Sequence, residues 1–432
     1  MVKAITGGSF GDEGKGKMTD LLASEADIVV RFQGGANAGH TIINEYGKFA
    51  LHLLPSGVFH RNTINVIASG VAFDADMFFK ELAILDARKV PTPKIKISSR
   101  TQLLLPVHRW QDALEEERLG KNNFGSSRAG IAPFYADKYA KRNIQIAELY
   151  FSSIDEKIKR FCEDKNIYFE AFYGIKNAIR ADELSEYLVS LKKQLEPYLC
   201  DCPYSMNEAI RDGQRILLEG QLGALRDMDN GIYPHTTSST TLAGFGSAST
   251  GIPPYKINSI VSVVKAYSTC VGAGAFVGEL LGPEAEELRN RGGDSGEYGA
   301  TTGRPRRMAW FDAVSARYGC MLQGTTEVAL TMLDVLGYLE KIPVCVGYEI
   351  GGKQTDRFPV TPFLHEAKPI YTYLNGWHCD ISGIKEYDQL PAAAKNYVDF
   401  IEEQLSFPIT MISNGPRRDQ IIFRESKIKR VL

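Results

Sequence analysis

Seven residues near the amino terminus, GDEGKGK at positions 11–17, bring together three glycines, two lysines and two carboxylates. Glycines let backbone N–H groups turn inward, and such groups beside a lysine cradle phosphate oxygens. A helix starting at the loop points its positive end at the same anion. Read from Gly11 to Lys17, the spacing fits the G-x-x-x-x-G-K of a phosphate-binding loop, with Met18 where that motif has a magnesium-holding hydroxyl. Asp12 can hold the metal from inside the loop instead. A carboxylate beside a polyphosphate is repelled unless a metal or a proton transfer requires it, so Asp12 reads as catalytic. The plain alternative is a Gly-rich surface turn.

Three further stretches carry chemistry. QGGANAGHT (33–41) is a second Gly-rich loop, and its His40 could donate a proton to a phosphate being transferred. GATTGRPRR (299–307) packs three arginines and two threonines, which suits bidentate recognition of carboxylates or phosphates. LTMLD (330–334) reads as a strand ending in Asp334, able to accept from guanine N1–H and the exocyclic amine together, a pair adenine does not offer. A strand-end aspartate can equally cap the next helix.

The elements that must position these loops alternate. Residues 2–5, 28–32 and 64–67 are apolar runs of strand length, each followed by a glycine-bearing turn, and helical patterns follow at 18–22 and 74–87. Strands are expected again at 216–218, 257–264, 328–330, 344–346 and 409–412, and a helix at 391–405. This predicts an α/β fold with a mainly parallel central sheet flanked by helices, the active loops lying at the strand ends. Residues 105–215 read as a mostly helical insertion with a polar loop at 125–133, inside one domain spanning 1–432. The Leu184, Leu188, Leu191, Leu195 stripe is core packing.

Composition narrows the class. The 432 residues are 44% hydrophobic and 24% charged with a net charge of −2, which supports neither a nucleic-acid nor an anionic-membrane partner. Seven cysteines, scattered apart from Cys200 and Cys202, form neither a zinc frame nor a disulfide framework, so a reducing, cytoplasmic compartment is expected. No targeting segment is expected ahead of the first strand, and no apolar run reaches the ~20 residues of a membrane span.

Taken together, GDEGKGK, NAGHT (37–41), YPHTTSS (233–239), KAYST (265–269), GATTGRPRR and LDVL (333–336) resemble adenylosuccinate synthetase, in the family's order and from residue 1 to about residue 422. The resemblance implies a fold related to P-loop nucleotide hydrolases, a homodimer, Mg²⁺, and a ligation using GTP, IMP and L-aspartate through 6-phosphoryl-IMP. It implies that Asp12 takes the purine N1 proton, His40 assists the GDP leaving group and Lys15 neutralises the transferring group. GTP is expected at Gly11, Glu13, Gly14, Lys15, Gly16 and Lys17, at Gly39, His40 and Thr41, and at Asp334, Ser413 and Gly415 around the base. IMP is expected at Asp12, Asn37, Ser127, Lys141, Gln221, Leu222, Thr237 and Arg304, with Lys141 reaching the partner subunit's IMP. Val271, Thr301, Thr302, Arg304 and Arg306 are expected to hold aspartate, and Asp12 with the Gly39 carbonyl to hold Mg²⁺.

The departures from the family pattern cluster at the acceptor. SSRAGIAP (126–133) replaces TTGRGIGP, Lys141 an arginine, and EGQLG (219–223) EGAQG, so Leu222 stands at the glutamine's place. Cys270 replaces an arginine, and Met332 a lysine that bears on the choice of GTP or ATP. A divergent paralogue that ligates aspartate to another oxo-purine or carbonyl acceptor is the alternative reading. A GTP-binding switch without ligase chemistry has no use for Asp12 beside His40 or for the triple-arginine loop.

Overall fold

The computed structural model describes residues 1–293, 296–299 and 303–428. Ten strands form one sheet in the order Ile421–Phe423, Ile409–Ser413, Glu327–Thr331, Ile257–Lys265, Val2–Gly7, Ile216–Glu219, Ile28–Arg31, Ile64–Ile67, Lys94–Ser98, Leu199–Cys200. Every pairing is parallel except that of the edge strand Ile421–Phe423 with Ile409–Ser413. Inner strands such as Ile28–Arg31 and Ile216–Glu219 are buried along their whole length, which is why they read as continuous apolar runs rather than as alternation. Both end in a charge, and the register sets Arg31 opposite Glu219.

Helices cover the sheet, and between 105 and 215 they dominate: Pro106–Leu119, Ile131–Tyr139, Ile154–Tyr173, Ala181–Leu195 and Cys202–Arg211. The leucine stripe of Ala181–Leu195 is buried as expected. The polar loop expected to Pro133 stops at Gly130, because Pro133 sits in the first turn of Ile131–Tyr139, where its missing N–H costs nothing.

Two elements correct the sequence reading. Residues 344–346 do not join the central sheet. They lie in Lys341–Ile350, a ten-residue strand that pairs antiparallel with Lys353–Thr355 and Lys368–Asn375 in a separate sheet. A short apolar run fits either sheet, and only its partners decide. His40 is not inside a loop but opens the strand His40–Asn44, which forms a hairpin with Gly47–Leu51.

Candidate active site

The loops that follow the parallel strands converge at their carboxyl ends, the usual ligand face of such a sheet. Val2–Gly7 delivers the 8–14 loop, in which Gly11, Asp12 and Gly14 all have positive φ. Gly14 caps the helix Lys15–Ala23 from the left-handed region, so the first helical N–H groups face the loop. Gly16 is required by contact as well as by motif, since a Cβ there would lie 3.0 Å from both the His40 side chain and the Thr41 carbonyl. The hairpin therefore seats directly on the helix.

A two-lobed cavity opens above these loops. One lobe, about 570 Å³, is lined by Lys15, Lys17, His40, Asp334, Ser413 and Gly415, with Gly14, Gly16, Gly39 and Thr41. The other, about 550 Å³, is lined by Asn37, Ser127, Thr237, Val271 and Arg304. Asp12, Ala38, Gly39, Leu222 and Gly299 line both, so the Asp12 carboxylate stands where the contents of the two lobes would meet. Lys15, Lys17, His40, Asp334, Ser413 and Gly415, expected at GTP, thus line one lobe, and Asn37, Ser127, Thr237, Val271 and Arg304, expected at the other substrates, line the second.

His40 Nδ1 lies 2.6 Å from Glu219 Oε1, and Arg31 Nη1 approaches the same nitrogen at 3.4 Å. Glu219 is fixed by the Ser56 N–H at 2.8 Å, the Ser56 hydroxyl at 2.6 Å and Arg31 at 3.5 Å. Burial and the Arg31 charge hold the imidazole below its ordinary pKa, with Glu219 opposing them. The ring is therefore neutral at pH 7, with Nδ1–H donated to Glu219. Its Nε2 is buried without a partner among the described residues.

At the other end of this lobe, Asp334 Oδ1 is also buried without a partner, and burial raises the carboxyl's pKa. Lys17 Nζ donates to the Ser413 hydroxyl at 2.8 Å and to the Gly415 and Gln420 carbonyls at 2.7 and 2.9 Å, tying the first helix to the 413–420 loop. Lys15 is bridged to Glu13 at 2.5 Å.

Asp12 Oδ2 is 3.2 Å from Arg306 Nε, and Arg306 also donates to Glu297. Glu297 accepts from Lys265 at 2.8 Å and Tyr267 at 2.5 Å; burial raises its pKa, but Lys265 and Arg306 outweigh that and bring it to about 2. Among the described residues no three His, Cys, Asp or Glu side chains cluster as a closed metal site. One carboxylate and the Gly39 backbone at the junction fit Mg²⁺, which takes its remaining oxygens from phosphates and water.

Several expected positions move. Gln221 faces away from the acceptor: it is 1% exposed, its amide donates to the Gly35 and Ala38 carbonyls, and its oxygen accepts from Gly35 N–H. Beyond the end of the strand Ile216–Glu219, with a positive φ of 60° at Leu222, the leucine and not the glutamine lines the cavity. The Glu13 side chain points inward as a brace, accepting from Ser9 and Gly11 N–H. Gly11 lines the acceptor lobe and Arg306 the nucleotide lobe, the reverse of expectation. Lys141, expected at the partner subunit's IMP, lines neither lobe of its own chain and borders a separate surface cavity beside Arg142 and Arg160. Thr301 and Thr302 lie outside the described residues.

Sequence reasoning gave no role to Glu219, Arg31, Ser56, Glu297 or Arg226. Its available signal was the charge ending each of two otherwise apolar strands, IVVR and ILLE.

The family profile described as adenylosuccinate synthetase matches residues 4–422. Over 420 residues the chain is 42% identical to the adenylosuccinate synthetase of Frankia alni and 43% identical to that of Carboxydothermus hydrogenoformans, covering 97% of this chain and 97% of each relative. The solved structure of fully ligated adenylosuccinate synthetase from Plasmodium falciparum superposes with a TM-score of 0.89 at 34% identity, covering 98% of this chain and 100% of that one. Succinoaminodeoxyadenylate synthetase of cyanophage S-2L shares the fold at a TM-score of 0.62 and 16% identity.

Proposed function

The chain belongs to the adenylosuccinate synthetase family, and from that premise we propose how its residues join L-aspartate to IMP at the expense of GTP. The family's reaction uses Mg²⁺; Asp12 and the Gly39 carbonyl would hold it here, and when bound it would shield the charge of the phosphates. The observation that carries the assignment is Asp12 at the meeting point of the two lobes.

In the first step Asp12 takes the N1 proton of the oxo-purine as O6 forms a bond to the γ-phosphorus and the bond from that phosphorus to the β-bridging oxygen breaks. His40 lines the lobe in which GDP departs, and its Nε2 has no partner among the described residues. Bound phosphates restore the proton that burial removes from the ring, so His40 then donates to the leaving group while Glu219 holds Nδ1. Lys15 and Arg306 carry positive charge on the same side. In the second step the aspartate amine bonds to C6, the C6–O6 bond breaks and phosphate leaves, the amine losing its proton. Phosphorylation is needed because an amide-like oxygen is otherwise a poor leaving group.

Asp334, with Ser413 and Gly415, reads the nucleotide base. An unpartnered buried carboxylate oxygen demands N–H donors, and guanine offers N1–H and its exocyclic amine side by side where adenine offers its amine alone, so GTP is favoured over ATP despite Met332. Asn37, Ser127 and Thr237 hold the monophosphate, and Val271 and Arg304 the amino acid. The active form is a homodimer in the cytoplasm; no helix among the described residues is long and apolar enough to cross a membrane.

The test is phosphate release with GTP, Mg²⁺ and L-aspartate, with and without IMP, following product mass. Release that depends on IMP, with a product of IMP plus aspartate minus water, is expected. Nucleotide and aspartate binding without IMP-dependent release would move the assignment to a different acceptor.

A further inference from the structure

Arg226 is the residue that the mechanism leaves unused. It stands in the 3₁₀ turn Ala224–Arg226 after the strand Ile216–Glu219, is 8% exposed, and lines the acceptor lobe. Its Nη1 donates to the His235 carbonyl. Its Nη2 donates to the Val271 carbonyl at 2.5 Å and meets Cys270 Sγ at 2.9 Å. The Phe10 ring lies under the guanidinium at 5.7 Å. Its own carbonyl accepts from Thr237 N–H at 2.9 Å. One residue therefore joins the 235–237 turn to the 270–271 strand end, and these are the two segments assigned above to monophosphate and to aspartate.

The charge has no carboxylate counterpart among the described residues. Its guanidinium meets two backbone carbonyls and the Cys270 sulfur, and no ion pair to Arg226 occurs among the described residues. A buried guanidinium that meets only carbonyls and a thiol is costly unless an anion joins it. Three hydrogen bonds leave two of its five N–H groups unspent. Among the described residues Arg226 and Arg304 are the two Lys or Arg side chains that line this lobe, whereas Asp12, Asp112, Glu115 and Glu116 supply negative charge. Asp112 and Glu116 are already engaged by N–H groups of Phe124, Ser126 and Gly130.

We propose that Arg226 is a specificity-determining residue of the acceptor lobe, whose fixed guanidinium binds an oxyanion of the substrate, a carboxylate of the amino acid or the monophosphate of the purine nucleotide. This rests on the assignment of that lobe. It also gives Cys270 a physical role: the small thiol leaves the volume that the Arg226 guanidinium occupies.

The test compares wild type, Arg226→Lys and Arg226→Met in steady-state kinetics and thermal melting, with calorimetric binding of L-aspartate and IMP. Loss of a charge-assisted hydrogen bond predicts a ~10–100-fold rise in KM for one of the two substrates in Arg226→Met, with a smaller rise in Arg226→Lys and KM for GTP unchanged. A rise for aspartate alone identifies the carboxylate, and a rise for IMP alone the phosphate. Unchanged KM values for both, or equal rises for all three substrates with a lowered melting temperature, overturn the proposal. Absence of wild-type turnover with IMP counts against the assigned acceptor instead, and aspartate binding that is equal in wild type and Arg226→Met then still rules out the carboxylate.

Discussion

Glu219 Oε1 sits 2.6 Å from His40 Nδ1, although 179 residues separate the two in the chain. The glutamate engages Nδ1 of an imidazole that lines the nucleotide lobe and whose Nε2 has no partner among the described residues. Because Glu219 opposes the burial and the Arg31 charge that depress the imidazole, its removal lowers the pKa further. Glu219→Gln is expected to cut kcat about 10–100-fold and to move the alkaline limb of the rate profile to lower pH. A kcat loss with an unmoved pH profile would make Glu219 merely structural.

Asp12→Asn keeps the size and hydrogen-bonding reach of the side chain but cannot accept the N1 proton. Turnover should vanish while GTP binding, followed by calorimetry, persists. Near-normal phosphate release in this variant would rule out the base role.

His40→Asn removes the group facing the leaving GDP. Phosphoryl transfer in a rapid-quench experiment should slow by at least ~10²-fold. A smaller loss would return His40 to a packing role on the first helix.

Lys17 offers a pH signature. Burial brings its ammonium from the ordinary 10.5 down to about 7, with Asp334 working against the fall. Between those two values the unfolded chain holds a proton that the folded chain has released, so this group makes stability rise with pH across the window. GTP phosphates favour the ammonium, so GTP binding at pH 8 should take up a proton and weaken as pH climbs above 7. Calorimetry in two buffers of different ionisation enthalpy reads that uptake. Equal heats in both buffers, or uptake that persists in Lys17→Met, would sink the idea.

Leu222→Gln tests the junction. Gln221 is committed to Gly35 and Ala38 and does not stand in for the missing amide, so the new side chain should lower KM for IMP, by up to ~10-fold for one added hydrogen bond. Unchanged IMP kinetics would show that the acceptor is held without an amide at this position.

Local features were open to reading from the sequence alone. The strands announced themselves as apolar runs because both faces of a parallel sheet are covered, and the phosphate loop did so because positive φ at Gly11 and Gly14 demands glycine at fixed spacing. Asp12, His40 and Asp334 were visible for the same reason, since each lies a few residues from the strand or glycine turn that presents it. Side-chain direction and partnership were decided only in three dimensions. Whether Gln221 or Leu222 faces the acceptor depends on one backbone angle and on carbonyls of the 33–38 loop far away in the chain. The Glu219 contact to His40, the Arg226 contact to Cys270 and the pairing of Lys341–Ile350 with Lys368–Asn375 in a second sheet join residues 19 to 179 positions apart. Sequence periodicity carries information over one element, whereas a buried charge finds its partner through the packing of several.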